Sequence, residues 1–226
     1  MKEATRVPLT RERIALAGIT IADAEGIDAV SMRRVAAALG VSTMSSYRHV
    51  EDRDDLMVAM VDIITGRSPL PRDPAVTWPD LLREMAIADW QAFARHPWLI
   101  SVWSTPRRRV DTASLHQLEL VLDRLEQAGI DRSSGYTVIY GVAGLTLGMA
   151  ALTIDDPGEE LKSGTDLEAW RRQVGANLNL QVAAEHRRAA RFVTELNDHT
   201  GYDLFAAALE AFIAGVAARF GSAPNH

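Results

Sequence analysis

The 226-residue chain has no cysteine. That excludes a disulfide framework and thiolate metal ligands, and it fits a reducing cytoplasm. The opening MKEATRVPLTRER lacks the apolar core of a signal peptide. There are six histidines, but His96 and His116 stand far apart without a local ligand pair, so no metal site is expected. The sequence has no Gly-x-Ser-x-Gly, His-Glu-x-x-His, P-loop or dinucleotide fingerprint. No catalytic residue, cofactor or metal ligand is therefore nominated. An excess of positive charge is also missing. The net charge is −6, which argues against a protein that coats nucleic acid indiscriminately.

The distribution of charge is more informative than its sum. Residues 1–50 hold seven Lys/Arg against five Asp/Glu, a net of +2, and the remainder holds 17 against 25, a net of −8. A slightly basic start on an acidic body is compatible with local DNA contact. Residues 135–154 run twenty positions without a charge, long enough to span a bilayer. Four glycines and three threonines in that run weaken insertion, and no second span is evident, so no membrane partner is expected. A helix buried in a bundle or a dimer fits better.

Strand-like alternation is scarce, while helical spacing recurs. Ile14, Ala17, Gly18 and Ile21 share a face of a first helix ending near Gly26. Ser31 caps a second, with Met32, Val35, Ala36 and Leu39 at i, i+3, i+4, i+7. Gly40 ends it, Ser42 caps a third over 43–50, and a fourth begins near Asp52. Prolines 69, 71, 74 and 79 then mark a hinge or linker. Further helices are expected near 80–95, 97–104, 112–128, 133–154, 166–195 (with a possible break) and 202–220. The expectation is an all-α protein with a helix-turn-helix domain over 1–66 and a larger helical domain over 67–226.

Helices at 32–39 and 43–50 joined by Gly40-Val41-Ser42 have the spacing of a helix-turn-helix. Gly40 suits the left-handed turn, and Val41 is the apolar plug. In such a unit the N-terminal residues of the second helix approach base edges in the major groove. Thr43, Met44 and Ser45 are short or flexible enough for that approach, and Met44 can pack on a thymine methyl. The amides after Ser42 can meet a phosphate. A plain helical hairpin is the alternative.

The run SMRRVAAALGVSTMSSYRHVEDRDDLM resembles the DNA-binding module of the TetR family of bacterial repressors, over roughly residues 9–64. The Gly-Val-Ser turn, Tyr47, His49, Val50 and Arg53 carry the resemblance. It implies base reading by Arg33, Thr43, Met44, Ser45 and Arg48. It implies backbone contacts from Ser31, Ser42, Tyr47, His49 and Arg53, with Thr10 a weaker candidate. A tyrosine hydroxyl or an imidazole N–H donates to phosphate without reading sequence. Two residues depart from the family pattern: Ser46 stands where it prefers Leu, and Arg53 where it prefers Lys.

In the second half, Gly141, Gly144, Gly148 and Ala151 share a face at helical spacing, and Phe205, Leu209, Phe212, Val216 and Phe220 form an apolar stripe. Either these are monomer core or they pair across a two-fold axis as a four-helix bundle. The resemblance implies the homodimer. Aromatic and polar residues, Trp90, Phe93, Trp98, Trp103, His116, Tyr136, Tyr140, Trp170, Gln173 and Asn177, are either core or an effector pocket. The segment ARHPWLISVW is similar to the tetracycline-repressor type of C-terminal domain. The runs 107–109 and 186–188 are both basic and read as solvated loops.

The sequence thus reads as a cytoplasmic, ligand-responsive regulator, of the repressor kind. Its expected partners are double-stranded operator DNA, a small, largely apolar or aromatic effector, and a second copy of itself. A helical binding protein without DNA contact, or an enzyme, are the competing readings.

Overall fold

The structure, a computed structural model, describes residues 8–107, 109–155, 163–176, 184–195 and 199–220. Among these residues there are eleven α-helices, one 3-10 turn at Ile27–Ala29 and no strand. The four N-terminal helices are α1 (Arg11–Glu25), α2 (Met32–Ala38), α3 (Thr43–Ser46) and α4 (Arg53–Gly66). Each starts on a side chain that accepts from an orphan amide of the first turn. The Thr10 hydroxyl takes Arg13 N, Ser31 takes Arg34 N and Ser42 takes Ser45 N, while the Asp52 carboxylate takes Asp55 N at 2.7 Å. Gly40 has φ +64, the left-handed turn expected between α2 and α3.

The third helix is shorter than its spacing suggests. It closes at Ser46, and the chain passes through a tighter turn, with His49 N donating to Ser46 O at 3.0 Å. Ser and Thr are modest helix formers that bond locally. One turn is therefore all that α3 sustains. The four helices bury Ile14, Val35, Val50, Leu56 and Met60 in a common core, which fixes the exposed side of α3.

The body comprises α5 (Trp78–Arg95), α6 (Trp98–Trp103), α7 (Thr112–Gln127), α8 (Arg132–Thr153), α9 (Leu167–Ala176), α10 (Arg187–Glu195) and α11 (Gly201–Phe220). Of the long stretch expected over 166–195, the described residues include α9 and α10, with a turn at His186 just before α10. The proline-rich segment is fastened rather than free: Leu70 is buried, and Arg124 of α7 donates to the carbonyls of Asp73 and Pro74 at 3.2 and 2.9 Å. Helix α4 packs on α1 and α7. Asp62 of α4 accepts from Ala113 N at 2.8 Å, and Gln117 of α7 donates to Ser68 O at 3.1 Å.

Helices α8 and α11 pack on each other and on α5. Both are long and apolar enough by length and composition to cross a membrane, so the uncharged run at 135–154 has one counterpart, contrary to its reading as a lone span. Their mutual packing revises the expected dimer face. Phe205, Leu209 and Val216 point into the chain's own core. A Cβ on Gly141 would lie 2.6 Å from the Phe212 ring, so that glycine serves this chain's own helix pair. Gly144, Gly148 and Ala151 remain exposed on α8, as do Ala207, Ala211, Ala214, Gly215 and Ala218 on α11.

Candidate nucleic-acid interface and effector region

The recognition segment presents its nominated residues outward. Met44 is 75% exposed, Tyr47 is half-exposed, and Arg33, Arg48 and His49 are exposed. Thr43 and Ser45 are partly covered. No Asp or Glu occurs between residues 29 and 50, so this face adds no carboxylate to repel phosphate. Arg33 and Arg48 make no ion pair among the described residues, whereas the neighbouring Arg34 is engaged by Glu25 at 2.6 Å.

Several nominated groups are already occupied within the chain. The oxygens of Thr10, Ser31 and Ser42 cap helices, and Ser42 Oγ and Ser45 Oγ share a hydrogen bond of 2.8 Å. Arg53 donates from Nε to Val30 O and from Nη2 to Ile27 O, both at 3.1 Å. It ties α4 to the turn before α2, and its reach toward a phosphate is narrowed to the nitrogen not so used. Ser46 is fully buried, and its hydroxyl has no hydrogen-bond partner among the described residues. The leucine-to-serine departure therefore faces the core.

Beneath this face Arg11 forms a two-pronged ion pair with Asp55, both contacts at 2.6 Å, and also donates to His49 O at 3.3 Å. The Arg11 guanidinium, helped by the Glu51 amide, lowers the Asp55 carboxyl to about 2. The pair anchors α1 to the start of α4 and steadies the Tyr47–His49 turn. Its two members lie 44 positions apart, so local spacing gave no sign of it.

The body is joined to α1 by a second carboxylate. Asp23 Oδ1 lies 2.7 Å from His96 Nδ1 and accepts from Trp98 Nε1 at 2.7 Å, with both aromatic partners almost fully buried. The His-Pro-Trp run was visible in the sequence, but its partner was not. Asp23 sits in the last turn of α1, where the helix dipole disfavours a carboxylate, and this was the available signal.

The nominated pocket residues do not surround one cavity. Trp90 stacks on Phe205, with centroids 4.4 Å apart and planes 11° apart, so it belongs to the α5–α11 core. Trp98 is committed to Asp23. Phe93 and Trp103 line a small, partly open void of about 20 Å³ with Gln117 and Thr65, room for about one water. His116, Tyr136, Tyr140 and Gln173 are exposed, and Asn177 lies outside the described residues. Helical spacing alone cannot say which face of α7 or α8 turns inward. Trp170 instead borders a separate cleft of about 590 Å³ against α6 and the end of α8. Arg107 and Arg109 line an open groove over α4 beside Arg53, and Arg109 stands 3.6 Å from Asp52. No group of acidic or histidine residues among those described is arranged to hold a metal ion.

A capped helix-turn-helix joined through α4 to an all-helical body is a two-part architecture. A family model described as tetracyclin repressor-like, C-terminal domain, matches residues 70–220. The chain belongs to the TetR family of transcriptional regulators. It is 35% identical over 168 residues to the HTH-type transcriptional repressor DrrR1 of Streptomyces coeruleorubidus, a match covering 74% of this chain and 62% of that repressor. The chain thus spans less than two thirds of that relative's length. An HTH-type transcriptional regulator of Saccharopolyspora erythraea is 26% identical over 185 residues, covering 82% of this chain and 72% of the relative. Among solved structures, the TetR family protein ActR of Streptomyces coelicolor, in complex with (S)-DNPA, superposes with a TM-score of 0.74 at 24% identity, over 95% of this chain and all of that one. At this identity the likeness carries the fold. ActR has also been solved in complex with actinorhodin.

Proposed function

We propose that the chain is a ligand-responsive DNA-binding regulator of the repressor kind, with residues 1–66 on DNA and 67–226 for effector and dimer. The observation that carries this reading is the carboxylate-free recognition face, with Met44, Arg48, Tyr47 and His49 turned to solvent on a caps-and-core frame. Arg33, Thr43, Met44, Ser45 and Arg48 face the bases, and Tyr47, His49 and the start of α3 face the phosphates. Two copies pair through the outward small residues of α8 and α11, which sets two α3 helices at the spacing of a palindrome. An effector that binds better to the splayed dimer shifts the population off the operator. Coupling of about 1–3 kcal/mol suffices for a 5- to 150-fold change in affinity. The complexes of ActR with small molecules support an effector of that kind here.

The test is a fluorescence-anisotropy titration of DNA from immediately upstream of the gene. Arg48→Ala is expected to weaken binding roughly tenfold or more, and Tyr47→Phe by a smaller factor. Unchanged affinity in both variants removes the proposed face. Sedimentation of a Gly148→Trp variant addresses the pairing. A shift toward monomer is expected, and an intact dimer removes α8 from the interface.

A further inference from the structure

The void around Phe93 and Trp103 admits no organic molecule as it stands, whereas the cleft beside Trp170 does. Its apolar walls are Pro97 and Ile100 of α6, Leu152 and Ile154 at the end of α8, and Leu167 and Trp170 of α9. At about 590 Å³ it falls within the range of small-molecule sites. Leu152 is 71% exposed and Trp170 55% exposed, so an apolar face and an indole stand uncovered at its mouth. Such surface marks a binding site more often than chance exposure does when it is contiguous and concave.

The polar groups of the cleft specify what fits. Ser101 Oγ donates to Trp98 O at 2.8 Å, Ser104 Oγ to Ser101 O at 3.0 Å and Ser163 Oγ to Thr165 O at 3.0 Å. Each hydroxyl hydrogen is spent, and lone pairs are what remain to a guest. Asp155 accepts Leu167 N on Oδ2 at 2.6 Å, which leaves its other oxygen to accept. Among the described residues no Lys, Arg or His side chain lines the cleft. Thr165 and the indole N–H are the remaining donors, so acceptors dominate. A guest that supplies donors therefore fits these groups, whereas an anion meets the Asp155 carboxylate, and the Arg171 guanidinium beside the cleft is engaged by Leu152 O at 2.6 Å.

We propose that this cleft is the effector site and that it takes a planar aromatic molecule bearing hydroxyl or ammonium donors, stacked on Trp170 and donating to Asp155 and the Ser101–Ser104 edge. This rests on the reading of the chain as an effector-responsive regulator. The floor of the cleft also gives the guest a route to the DNA-binding helices. Pro97 lies between His96 and Trp98, the two residues that hold Asp23 of α1. A molecule wedged against Pro97 and Ile100 displaces the corner that fastens α6 to α1.

Isothermal titration with four matched probes tests the site: 2-naphthol, 2-naphthylmethylammonium, 2-methoxynaphthalene and 2-naphthoate. The expected result is that one or both donor-bearing probes bind at least tenfold more tightly than the methoxy and carboxylate probes. The ranking of the phenol against the ammonium identifies which donor the site prefers. Asp155→Asn keeps an acceptor for Leu167 N and is expected to lose about tenfold for the donor probes. Trp170→Ala is expected to lose about as much, and Trp170→Phe to retain most of the affinity, with melting temperatures unchanged. Equal binding of methoxynaphthalene and naphthol, or donor-probe affinity untouched by both Asp155→Asn and Trp170→Ala, overturns the proposal. Anisotropy on the upstream DNA separates the two readings. Failure to bind DNA removes the regulator, while DNA binding with effector release insensitive to Trp170 and Asp155 removes only this cleft.

Discussion

In the N-terminal helices the small hydroxyl side chains serve the backbone, capping three successive helix starts, and the larger side chains are left to face outward. In the body the arrangement is reversed. Trp90, Phe93 and Trp98 are drawn into the core, and one exposed strip of α8 and α11 is built of the small residues Gly144, Gly148, Ala151, Ala207, Ala211, Ala214, Gly215 and Ala218. The two surfaces suit two different uses: the proposed DNA-reading face has reach and donors on a fixed frame, whereas the proposed pairing strip of α8 and α11 offers close approach through small residues.

The sharpest way to break this contrast is to place a carboxylate on the face that lacks one. Met44→Glu puts a negative charge at a position 75% exposed, opposite phosphates in the proposed complex. Like charges at an interface cost several kcal/mol, so a loss of operator affinity of more than about 100-fold is expected. The melting temperature should stay unchanged, and a variant that still binds DNA normally would show that α3 does not enter the groove.

The second effect falls where the two regions meet. Asp23→Ala strands the His96 ring and the Trp98 indole N–H, both buried. An unsatisfied buried group costs about 1–3 kcal/mol, so a loss of roughly 2–4 kcal/mol is expected for the pair. That corresponds to a melting temperature lower by about 5–10 °C in a chain of this size. Asp23→Asn retains an acceptor and should lose about half as much. Differential scanning calorimetry decides, and a melting temperature unmoved by Asp23→Ala removes the latch.

The two regions were also unequally legible. Thr10, Ser31, Ser42 and Asp52 announce helix starts by local chemistry, and Gly40 marks the turn, so the N-terminal architecture follows from short-range rules. The length of α3 did not follow, because periodicity at Val50 continues through a turn that is no longer helical. In the body, the pattern Phe205, Leu209, Phe212, Val216 correctly marks a buried stripe but cannot name what covers it. Tertiary packing decides that α8 of the same chain does so. Likewise Trp90 and Trp170 look alike in sequence, and only the placement of α5 and α9 puts one in the core and the other on a cleft. Asp23 with His96, and Arg11 with Asp55, are pairings across long separations that no local spacing reports.

A third test concerns the frame beneath the recognition turn. Asp55 is held at about 2 in the folded chain, below the value near 3.9 of an unfolded aspartate. A carboxyl so lowered stabilises the fold above its unfolded value, and the contribution falls away as pH drops through the folded one. Arg11 is 43% exposed, so solvent screening trims the pair to about 1–2 kcal/mol. Asp55→Asn should therefore lower stability by that amount near pH 7. The gap from the parent should narrow below about pH 5 and close near pH 2. Urea titrations at a series of pH values measure it, and a gap independent of pH means that charge is not the source.

The smallest expected effect runs the other way, toward greater stability. Ser46 lies fully buried on the inner side of the same helix that turns Met44 outward, and its hydroxyl finds no partner among the described residues. Replacing a buried hydroxyl that makes no hydrogen bond removes a desolvation cost and little else. Ser46→Ala should stabilise the chain by about 1 kcal/mol, raising the melting temperature by roughly 2–4 °C, with DNA affinity unchanged because the outward face is untouched. A lower melting temperature would mean that the hydroxyl bonds to an ordered water. In that case the serine belongs to the frame, as Ser31 and Ser42 do, and the contrast between capping and core hydroxyls no longer holds.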